Sequence, residues 1–370
     1  MPAGRARERF AAGDRSVPET SSNSPVSLAA RIHGARDLRT EAHVPSSAGE
    51  DEVDVEIASV GICGSDLHYY KDGGIGGAII AAPFVPGHEF SARLTRDVES
   101  RGLRRGELVA IDPATPCHRC EWCRAGHHNL CPSVVFLGAP PHDGALTTRM
   151  AVPEASLIAL PEGMSADEGA MLEPLGVCIH AMDLARPAPW DSVALVGCGP
   201  IGLGVLQLLA LAGVDEIVAV DPQPHRTALA LSIGASAAGD SVEAVGEATG
   251  GRGCDIVIEA TNSPEGFAHA VRAAAIGARV VLVGIPDGDL YTAMPAAEAR
   301  RRGLTVRFSR RMGEVYPRAV ALVAGGRIDV MRLVTHRFAL EEVPAAYEMH
   351  ARGEPGLVKS LVHPNGKPDS

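Results

Sequence analysis

Four cysteines within fifteen residues constrain this chain more than any other feature. They are spaced C-x2-C-x2-C-x7-C, at Cys117, Cys120, Cys123 and Cys131, in a segment that lacks helix or strand periodicity. Four thiolates at this density can complete the tetrahedral coordination of one zinc ion, which leaves no open position for chemistry. Disulfides are the alternative, but two-residue gaps would strain them, and the other four cysteines are scattered singly. The spacing therefore predicts a structural zinc site.

The size and charge of the chain limit the class of protein. At 370 residues the chain is long enough for about two domains. Its 34 basic and 45 acidic residues give a net charge of −11, which argues against nonspecific binding to nucleic acid or anionic membranes. No apolar run approaches the roughly 18 residues of a membrane helix. We therefore expect no nucleic-acid partner and no membrane partner.

The N-terminal residues are predicted to form a disordered tail. Residues 1–27 are polar and contain no apolar signal core. Their arginines suggest a transit peptide, but Glu8, Asp14 and Glu19 argue against one. Such a segment cannot bury enough apolar surface to offset the entropy of ordering it. The missing export signal and the thiolate cluster together indicate a cytoplasmic protein.

The hydrophobic pattern divides the chain into two domains. From residue 28 to about 173, short strands and turns predict a β-rich domain, in which DEVDVEIASV (51–60) alternates like an antiparallel strand. From 174 to 308, apolar strands alternate with helical segments, which indicates a parallel sheet with right-handed crossovers. Residues 309–370 return to a strand and an amphipathic helix that we expect to pack on the first domain. The predicted class is therefore α/β.

A glycine-rich junction predicts a dinucleotide site in the second domain. Gly197, Gly199 and Gly202 form G-x-G-x-x-G between a strand and a helix, which allows a tight turn and close approach of a pyrophosphate. Asp221 ends the next strand, where a carboxylate can bond the adenosine ribose and favours NAD over NADP. Arg226 could instead attract a 2′-phosphate, and Asp221 could be a helix-capping acid. The predicted cofactor residues are Gly197, Gly199, Pro200, Ile201, Gly202, Asp221, Arg226, Thr261 and Gly284.

Two short motifs in the first domain offer ligands for a catalytic metal. Cys63 lies in GICGSDLH (61–68) and His88 in PGHEF (86–90), and a thiolate with an imidazole suits zinc. A catalytic zinc has three protein ligands and one open position, and Glu89 and Glu173 compete to be the third. For a lone Cys or His in a β-rich domain, burial in the core is the more frequent outcome. The residues by themselves therefore leave this site open.

Several segments together resemble one enzyme family. GICGSDLHYY, PGHE, the four-cysteine segment, MLEPLGVCIHA, GCGPIG and VTHRF follow one another as in zinc-dependent medium-chain dehydrogenases. They are most similar to the polyol branch, typified by sorbitol (L-iditol) dehydrogenase, over residues 28–362. MLEPLGVCIHA is the most branch-specific segment, because classical alcohol dehydrogenases have a zinc-binding cysteine in the region of Glu173. The resemblance implies a GroES-like catalytic domain, a Rossmann NAD-binding domain, and two zinc ions, one catalytic and one structural.

The resemblance also implies roles for the site residues. Cys63, His88 and Glu89 would hold the catalytic zinc. Glu173 would lie close enough to ligate the zinc itself or to bond a zinc-bound water, and Asp66 would orient His88 through its other ring nitrogen. The remaining implied roles are contact with the substrate oxygen by Ser65, proton transfer toward solvent by His68, and the wall of the substrate pocket by Tyr69 and Phe136.

The sequence departs from the family pattern in three places. Ala92 stands where the motif G-H-E-x-x-G has its last glycine, and Gly106-Glu107 replaces the common Gly-Asp. The late substrate loop reads FSRRMG (308–313), two residues longer than in polyol dehydrogenases, so Arg310 or Arg311 could hold a substrate hydroxyl or carboxylate. Alternatively, these arginines continue a solvated basic face from residues 300–302. The differences leave the reaction intact and the exact substrate open.

We therefore expect an NAD-dependent, zinc-dependent oxidoreductase that acts on a secondary hydroxyl of a polyol. An L-idonate- or L-threonine-type dehydrogenase is the alternative within the family, and a non-catalytic NAD-binding protein is the alternative outside it. A third class, the zinc-free quinone reductases of the same superfamily, fits less well, because those proteins lack the four-cysteine segment and the acids that stand here at Glu89 and Glu173. By analogy we expect a homodimer or homotetramer, in which the apolar strand RVVLVGI (279–285) pairs across a two-fold axis.

Overall fold

The computed structural model describes residues 27–366 and contains two large β-sheets. Residues 1–26, which hold nearly all of the predicted tail, lie outside the described residues, and Ser27 is the first residue of a strand. The elements that precede the second sheet are β1 (Ser27–Gly34), β2 (Asp37–His43), β3 (Glu52–Gly61), α1 (Gly64–Asp72), β4 (Gly74–Ile75), β5 (Ala78–Ile79), β6 (Glu89–Leu94), β7 (Leu108–Ile111), β8 (Ala114–Thr115), α2 (Glu121–Arg124), β9 (Val135–Phe136), β10 (Arg149–Pro153), β11 (Leu157–Ala159) and α3 (Ala166–Ala170).

The first sheet carries the predicted metal motifs. Its strands run in the order β11-β7-β6-β3, continue into two strands from the C-terminal segment, and β10 pairs with the other end of β3. The strand predicted from alternation is β3, where Val53, Val55 and Ile57 are buried while the residues between them are more exposed. Because β3 pairs antiparallel with β6, the end of one strand lies beside the start of the other.

The second sheet is formed by the next part of the chain. Its elements are α4 (Leu172–Ala185), β12 (Val193–Val196), α5 (Pro200–Leu211), β13 (Ile217–Val220), α6 (Pro224–Ile233), β14 (Ala237–Gly239), α7 (Glu243–Ala248), β15 (Cys254–Glu259), α8 (Gly266–Ala273), β16 (Ala274–Leu282), α9 (Ala296–Arg302) and β17 (Thr305–Phe308). Six parallel strands run in the order β14-β13-β12-β15-β16-β17. This doubly wound parallel sheet confirms the Rossmann prediction.

One prediction about this sheet is wrong. The apolar segment RVVLVGI lies mainly in β16, which hydrogen-bonds to β15 on one side and to β17 on the other. An interior strand has no free backbone edge, so it cannot add a partner strand across a two-fold axis. On this side of the sheet the edge strand is β17.

The last part of the chain returns to the first sheet. Its elements are α10 (Tyr316–Ala324), β18 (Val334–Ala339), α11 (Val343–Ala351) and β19 (Lys359–His363). β19 pairs antiparallel with β3 and parallel with β18, which gives the strand order β6-β3-β19-β18. A single buried apolar cluster includes Leu172 of α4, Leu195 of β12 and Leu361 of β19, so the two sheets share part of one core. This shared packing holds the two sheets together and so fixes the positions of the residues that lie between the sheets.

Candidate active site and metal centres

Two adjoining cavities lie between the sheets. One, of about 580 Å³, is lined by the glycine-rich junction after β12 and by Asp221, and we name it the cofactor cavity. The other, of about 320 Å³, is lined by α1, His88, Glu173 and the 309–311 loop, and we name it the substrate cavity. Cys63 and Glu89 line both. A ligand in one cavity could therefore contact a ligand in the other beside these two residues.

Cys63, His88 and Glu89 converge at this shared wall. One donor atom from each of the three lies within 4.8 Å of the other two, close enough for a single metal ion. The convergence follows from strand pairing, because Cys63 comes two residues after β3 and Glu89 begins β6 opposite Gly61. A Cβ on Gly61 would lie 2.0 Å from Oε2 of Glu89, so a side chain at this position would displace the Glu89 carboxylate. A sulfur, an imidazole nitrogen and a carboxylate oxygen are a donor set that suits zinc.

Asp66 lies beside His88, the ring that it is predicted to orient. Its carboxylate is fully buried, and Oδ1 lies 3.4 Å from Nδ1 of His88. Its other oxygen accepts a hydrogen bond from the backbone N–H of Cys63 at 3.0 Å. Burial would lower the pKa of His88, but the negative charges of Asp66 and Cys63 outweigh it and hold that pKa well above its ordinary value. The same two acidic groups would stabilise a positive metal ion at this place.

Glu89 also has a partner that the sequence analysis missed. Lys359, at the start of β19, forms an ion pair with Oε2 of Glu89, and both side chains are 2% exposed. The Lys359 ammonium donates a second hydrogen bond, of 2.9 Å, to the Ile62 carbonyl. The signal available in the sequence was a lysine beside the apolar residues Leu361 and Val362 of a short strand, where a buried charge requires a partner. Glu89 therefore has one carboxylate oxygen paired with Lys359.

Glu173 lies in the first turn of α4 and lines the substrate cavity beside His88 and Glu89. It does not belong to the group of three close donor atoms, which includes Glu89 instead. Burial raises the pKa of Glu173 to about 8, with a further contribution from Glu89. The geometry thus favours Glu89 as the third ligand, with Glu173 as an additional acid on the same wall. The role of each remains a prediction.

The four-cysteine segment forms a second group of metal donors. Cys117, Cys120, Cys123 and Cys131 each offer a sulfur, and the four sulfurs lie within 4.8 Å of one another. All eight cysteines of the chain are free, so the disulfide alternative does not apply. Backbone N–H groups of Arg119 and Cys120 lower the pKa of Cys117 to about 6, which favours a thiolate. Four clustered sulfurs fit one tetrahedral zinc.

The residues predicted to contact substrate line the substrate cavity. Ser65, His68 and Tyr69 lie on α1, Phe136 ends β9, and Arg310 and Arg311 follow β17. The His88 ring is 5.3 Å from that of Phe136, and the Arg311 guanidinium lies 4.7 Å above the Phe136 ring. Arg311 is therefore part of the cavity rather than of a solvated basic face.

His68 of α1 contacts the segment that follows β16 in the second sheet. Its Nε2 lies 3.2 Å from the Ile285 carbonyl, and its Nδ1 lies 3.4 Å from Asp72, whose side chain is 45% exposed. No hydrogen bond joins His68 to Ser65 within residues 27–366. The route toward solvent through Asp72 fits the predicted proton transfer, although the step from Ser65 would need a group between the two side chains.

The glycine-rich junction has the backbone that a dinucleotide needs. Gly197 has a φ of 99°, a left-handed conformation that favours glycine. A Cβ on Gly199 would meet no atom within 4 Å, which leaves room for a pyrophosphate at the start of α5, whereas a Cβ on Gly202 would lie 1.9 Å from the Gly197 carbonyl oxygen. The other predicted cofactor residues that line the cofactor cavity are Pro200, Ile201, Asp221, Arg226 and Thr261, whereas Gly284 lines the substrate cavity.

Asp221 is held at the end of β13 by the backbone. It accepts hydrogen bonds from the backbone N–H groups of Cys198, at 2.8 Å, and Gln223, at 2.9 Å. Arg226 lies 3.6 Å from the same carboxylate and donates to the Leu357 carbonyl. Arg226 therefore lies beside Asp221 in the cofactor cavity, and its Nε is buried without a hydrogen-bond partner.

Known proteins resemble this chain along most of its length. Residues 49–162 match the alcohol dehydrogenase GroES-like domain, and residues 200–325 match the zinc-binding dehydrogenase family. Sorbitol dehydrogenase of Bacillus subtilis (strain 168) is 31% identical, over 91% of this chain and 97% of the relative. L-idonate 5-dehydrogenase of Vitis vinifera is 33% identical, over 88% and 92%. Galactitol-1-phosphate dehydrogenase of Escherichia coli has a similar structure, with a TM-score of 0.81, 29% identity and coverage of 91% and 100%.

These matches cover both sheets and the metal motifs between them. They confirm the resemblance to zinc-dependent medium-chain dehydrogenases and the GroES-like plus Rossmann fold. Within residues 27–366, no helix is long and apolar enough to cross a membrane. The fold, the two groups of metal donors and the matched relatives together lead to one conclusion: the chain belongs to the family of zinc-binding dehydrogenases with an alcohol dehydrogenase GroES-like domain.

Proposed function

We propose that this enzyme oxidises a secondary hydroxyl of a polyol or related sugar-derived alcohol, with NAD as the acceptor. The observation that supports this most is the position of Cys63, His88 and Glu89 on the wall shared by the cofactor and substrate cavities. The reaction would remove a hydride from the carbinol carbon and a proton from its hydroxyl, so that the alcohol and NAD would become a ketone, NADH and a proton.

Each side chain would contribute a defined step. Cys63, His88 and Glu89 would hold zinc, which as a Lewis acid would favour loss of the hydroxyl proton while NAD takes up the hydride. Ser65 would accept that proton from the substrate, a group between the two side chains would carry it to His68, and His68 would pass it to Asp72 at the surface. Asp66 would keep the His88 ring oriented, and Phe136 would exclude water beside it.

The cofactor cavity supports NAD over NADP. Asp221 is 4% exposed, and its carboxylate would lie beside the adenosine ribose of a bound cofactor, where it would repel a 2′-phosphate. The four cysteines would hold a second, structural zinc. This zinc would fix the loop that contains Asn129, which donates a hydrogen bond of 2.9 Å to the Arg310 carbonyl at the substrate cavity.

The state of the cysteines bears on the compartment. Eight free cysteines and a thiolate site are consistent with a reducing cytoplasm.

We infer that the enzyme is a homodimer or homotetramer. Apart from further copies of the chain, the molecule that it binds would be a small-molecule substrate. Phe308, on the edge strand β17, is 68% exposed, which is unusual for a large aromatic side chain. An edge strand with an exposed aromatic residue is a suitable place for a second copy of the chain, whereas β16 is not.

Metal analysis and activity together test the proposed function. The wild-type protein should contain about two zinc ions per chain and reduce NAD in the presence of a polyol. Cys63→Ser should contain about one zinc, keep NAD binding and lose turnover, while Cys123→Ser should lose stability first. A wild-type protein with a single zinc and no turnover of polyols, sugar acids or amino alcohols would instead support a non-catalytic NAD-binding protein. Full activity of Cys63→Ser would remove that residue from the metal site.

A further inference from the structure

The loop after β17 holds an arginine in an unusual backbone conformation. Arg311 has a φ of 52°, in the left-handed region that non-glycine residues rarely adopt. The loop is fixed on both sides of it. The Arg310 carbonyl accepts the hydrogen bond from Asn129, and Met312 packs against Gly176 of α4, where a Cβ would lie 2.3 Å from the Met312 sulfur. These contacts hold the Arg311 side chain toward the substrate cavity.

The guanidinium of Arg311 lacks a carboxylate partner. Its Nη1 is buried and has no hydrogen-bond partner, and it forms no ion pair with a carboxylate of residues 27–366. Arg318, in α10 shortly after this loop, instead pairs with Asp183. A half-buried, unpaired cation is unfavourable unless a ligand supplies the missing negative group.

The surroundings of Arg311 favour an anion over a neutral group. Phe136 supplies an aromatic face at 4.7 Å, which positions the guanidinium but does not neutralise its charge. Arg310 lines the same wall and adds a second positive charge. Burial lowers the pKa of Arg311 to about 10, so the group is still charged at neutral pH. The planar guanidinium can bind a carboxylate or a phosphate with two parallel hydrogen bonds.

We propose that Arg311 binds an anionic group of the substrate, and that the enzyme therefore acts on a sugar-derived alcohol that carries a carboxylate or a phosphate. The inference depends on the proposed function for the reacting end of the substrate. Phe136 contacts both Arg311 and His88, so the two residues line the same cavity. The alcohol would bind at the Cys63, His88 and Glu89 end of the cavity, and the anionic group at the arginine end.

Matched pairs of compounds test this inference. L-iditol and L-idonate differ by a carboxylate, and galactitol and galactitol 1-phosphate differ by a phosphate, so the two pairs also distinguish the two anionic groups. For the wild type, kcat/KM should be at least about tenfold higher for the anionic member of one pair. Arg311→Gln should lower that value by about tenfold to a hundredfold, the range for a lost charged hydrogen bond, and change the neutral member less than about threefold.

Two further variants serve as controls. Arg311→Lys keeps the charge but loses the planar donor pair, and should fall between wild type and Arg311→Gln. Arg327→Gln removes an exposed arginine outside both cavities and should match the wild type. An equal loss for both members of a pair in Arg311→Gln would mean that Arg311 only supports Phe136, and a wild-type preference for the neutral member of both pairs would also overturn the proposal.

Calorimetric binding to the enzyme–NAD complex separates this proposal from the proposed function. If none of the four compounds is oxidised, the proposed function fails, yet binding of an anionic compound that Arg311→Gln abolishes would still support the anion site. If polyols are oxidised but neither anionic compound binds more tightly than its neutral partner, the proposed function stands and the anion site is refuted.

Discussion

The buried pair of Glu89 and Lys359 makes a strong quantitative prediction about stability. Lys359→Met keeps most of the length and volume of the side chain but removes the ammonium group. Glu89, 2% exposed, would lose its counter-charge, and the Ile62 carbonyl would lose a hydrogen bond of 2.9 Å. Removing one partner of a buried ion pair is expected to lower the free energy of unfolding by about 3–5 kcal/mol, because the remaining charge stays buried without compensation.

Urea unfolding of four proteins measures this effect. The set is the wild-type residue pair, Lys359→Met, Glu89→Gln and the double variant, all in the Cys63→Ser background, so that a metal ion held by Glu89 does not add to the difference. The double variant should be more stable than Lys359→Met, because the orphaned charge is gone. Lys71→Met is the matched control, since Lys71 pairs with Asp287 at 3.1 Å but both side chains are partly exposed. That variant should lose less than about 1 kcal/mol.

Two results would refute the reasoning. One is a Lys359→Met protein as stable as the Lys71→Met control, which would mean that water or another group compensates Glu89. The other is a double variant that is no more stable than Lys359→Met, which would mean that the loss comes from packing of the lysine rather than from its charge.

Two further predictions concern single carboxylates. Asp221→Ser should raise the KM for NAD and increase the ratio of NADP to NAD in kcat/KM; an unchanged ratio would assign the discrimination to Arg226. Burial raises the pKa of Asp112 from its ordinary 3.8 to about 6, so the folded protein holds this proton over a range in which the unfolded chain has lost it. The contribution of Asp112 to the free energy of unfolding should therefore fall as pH rises from about 4 to 6, by at most about 3 kcal/mol. Asp112→Asn should be more stable than the wild type in urea at pH 8 but not at pH 4.5, and a pH-independent difference would contradict this.

The sequence predicts the parts of the site that depend on spacing along the chain. The four cysteines lie within one loop, and the glycines and Asp221 belong to one strand–helix–strand unit, so short-range geometry brings each set together. The alternation in β3 likewise predicts a strand with one buried face. These features need no knowledge of how distant segments meet.

Features that depend on distant contacts were not predictable in this way. Lys359 reaches Glu89 across 270 residues of chain, and only the pairing of β19 with β3 brings them together. The apolar pattern of RVVLVGI fits an interior strand and an associating strand equally well, so it does not distinguish them. Only the pairing of β17 with β16 makes this strand an interior one. The conformation of Arg311 depends on Asn129 and Met312, whose contacts no local pattern indicates.

The wall shared by the two cavities, which carries Cys63 and Glu89, is nevertheless a simple consequence of strand order. In the sheet, β3 lies between β6 and β19 and is antiparallel to both. The start of β6, the end of β3 and the start of β19 therefore lie side by side. Glu89 begins β6, Cys63 follows β3 by two residues, and Lys359 begins β19. Three neighbouring strand ends therefore supply two of the proposed ligands and the cation that balances one of them. Because β19 comes from the last part of the chain, the charge of this wall is balanced only after the C-terminal segment has paired with β3, which couples completion of the fold to completion of the site.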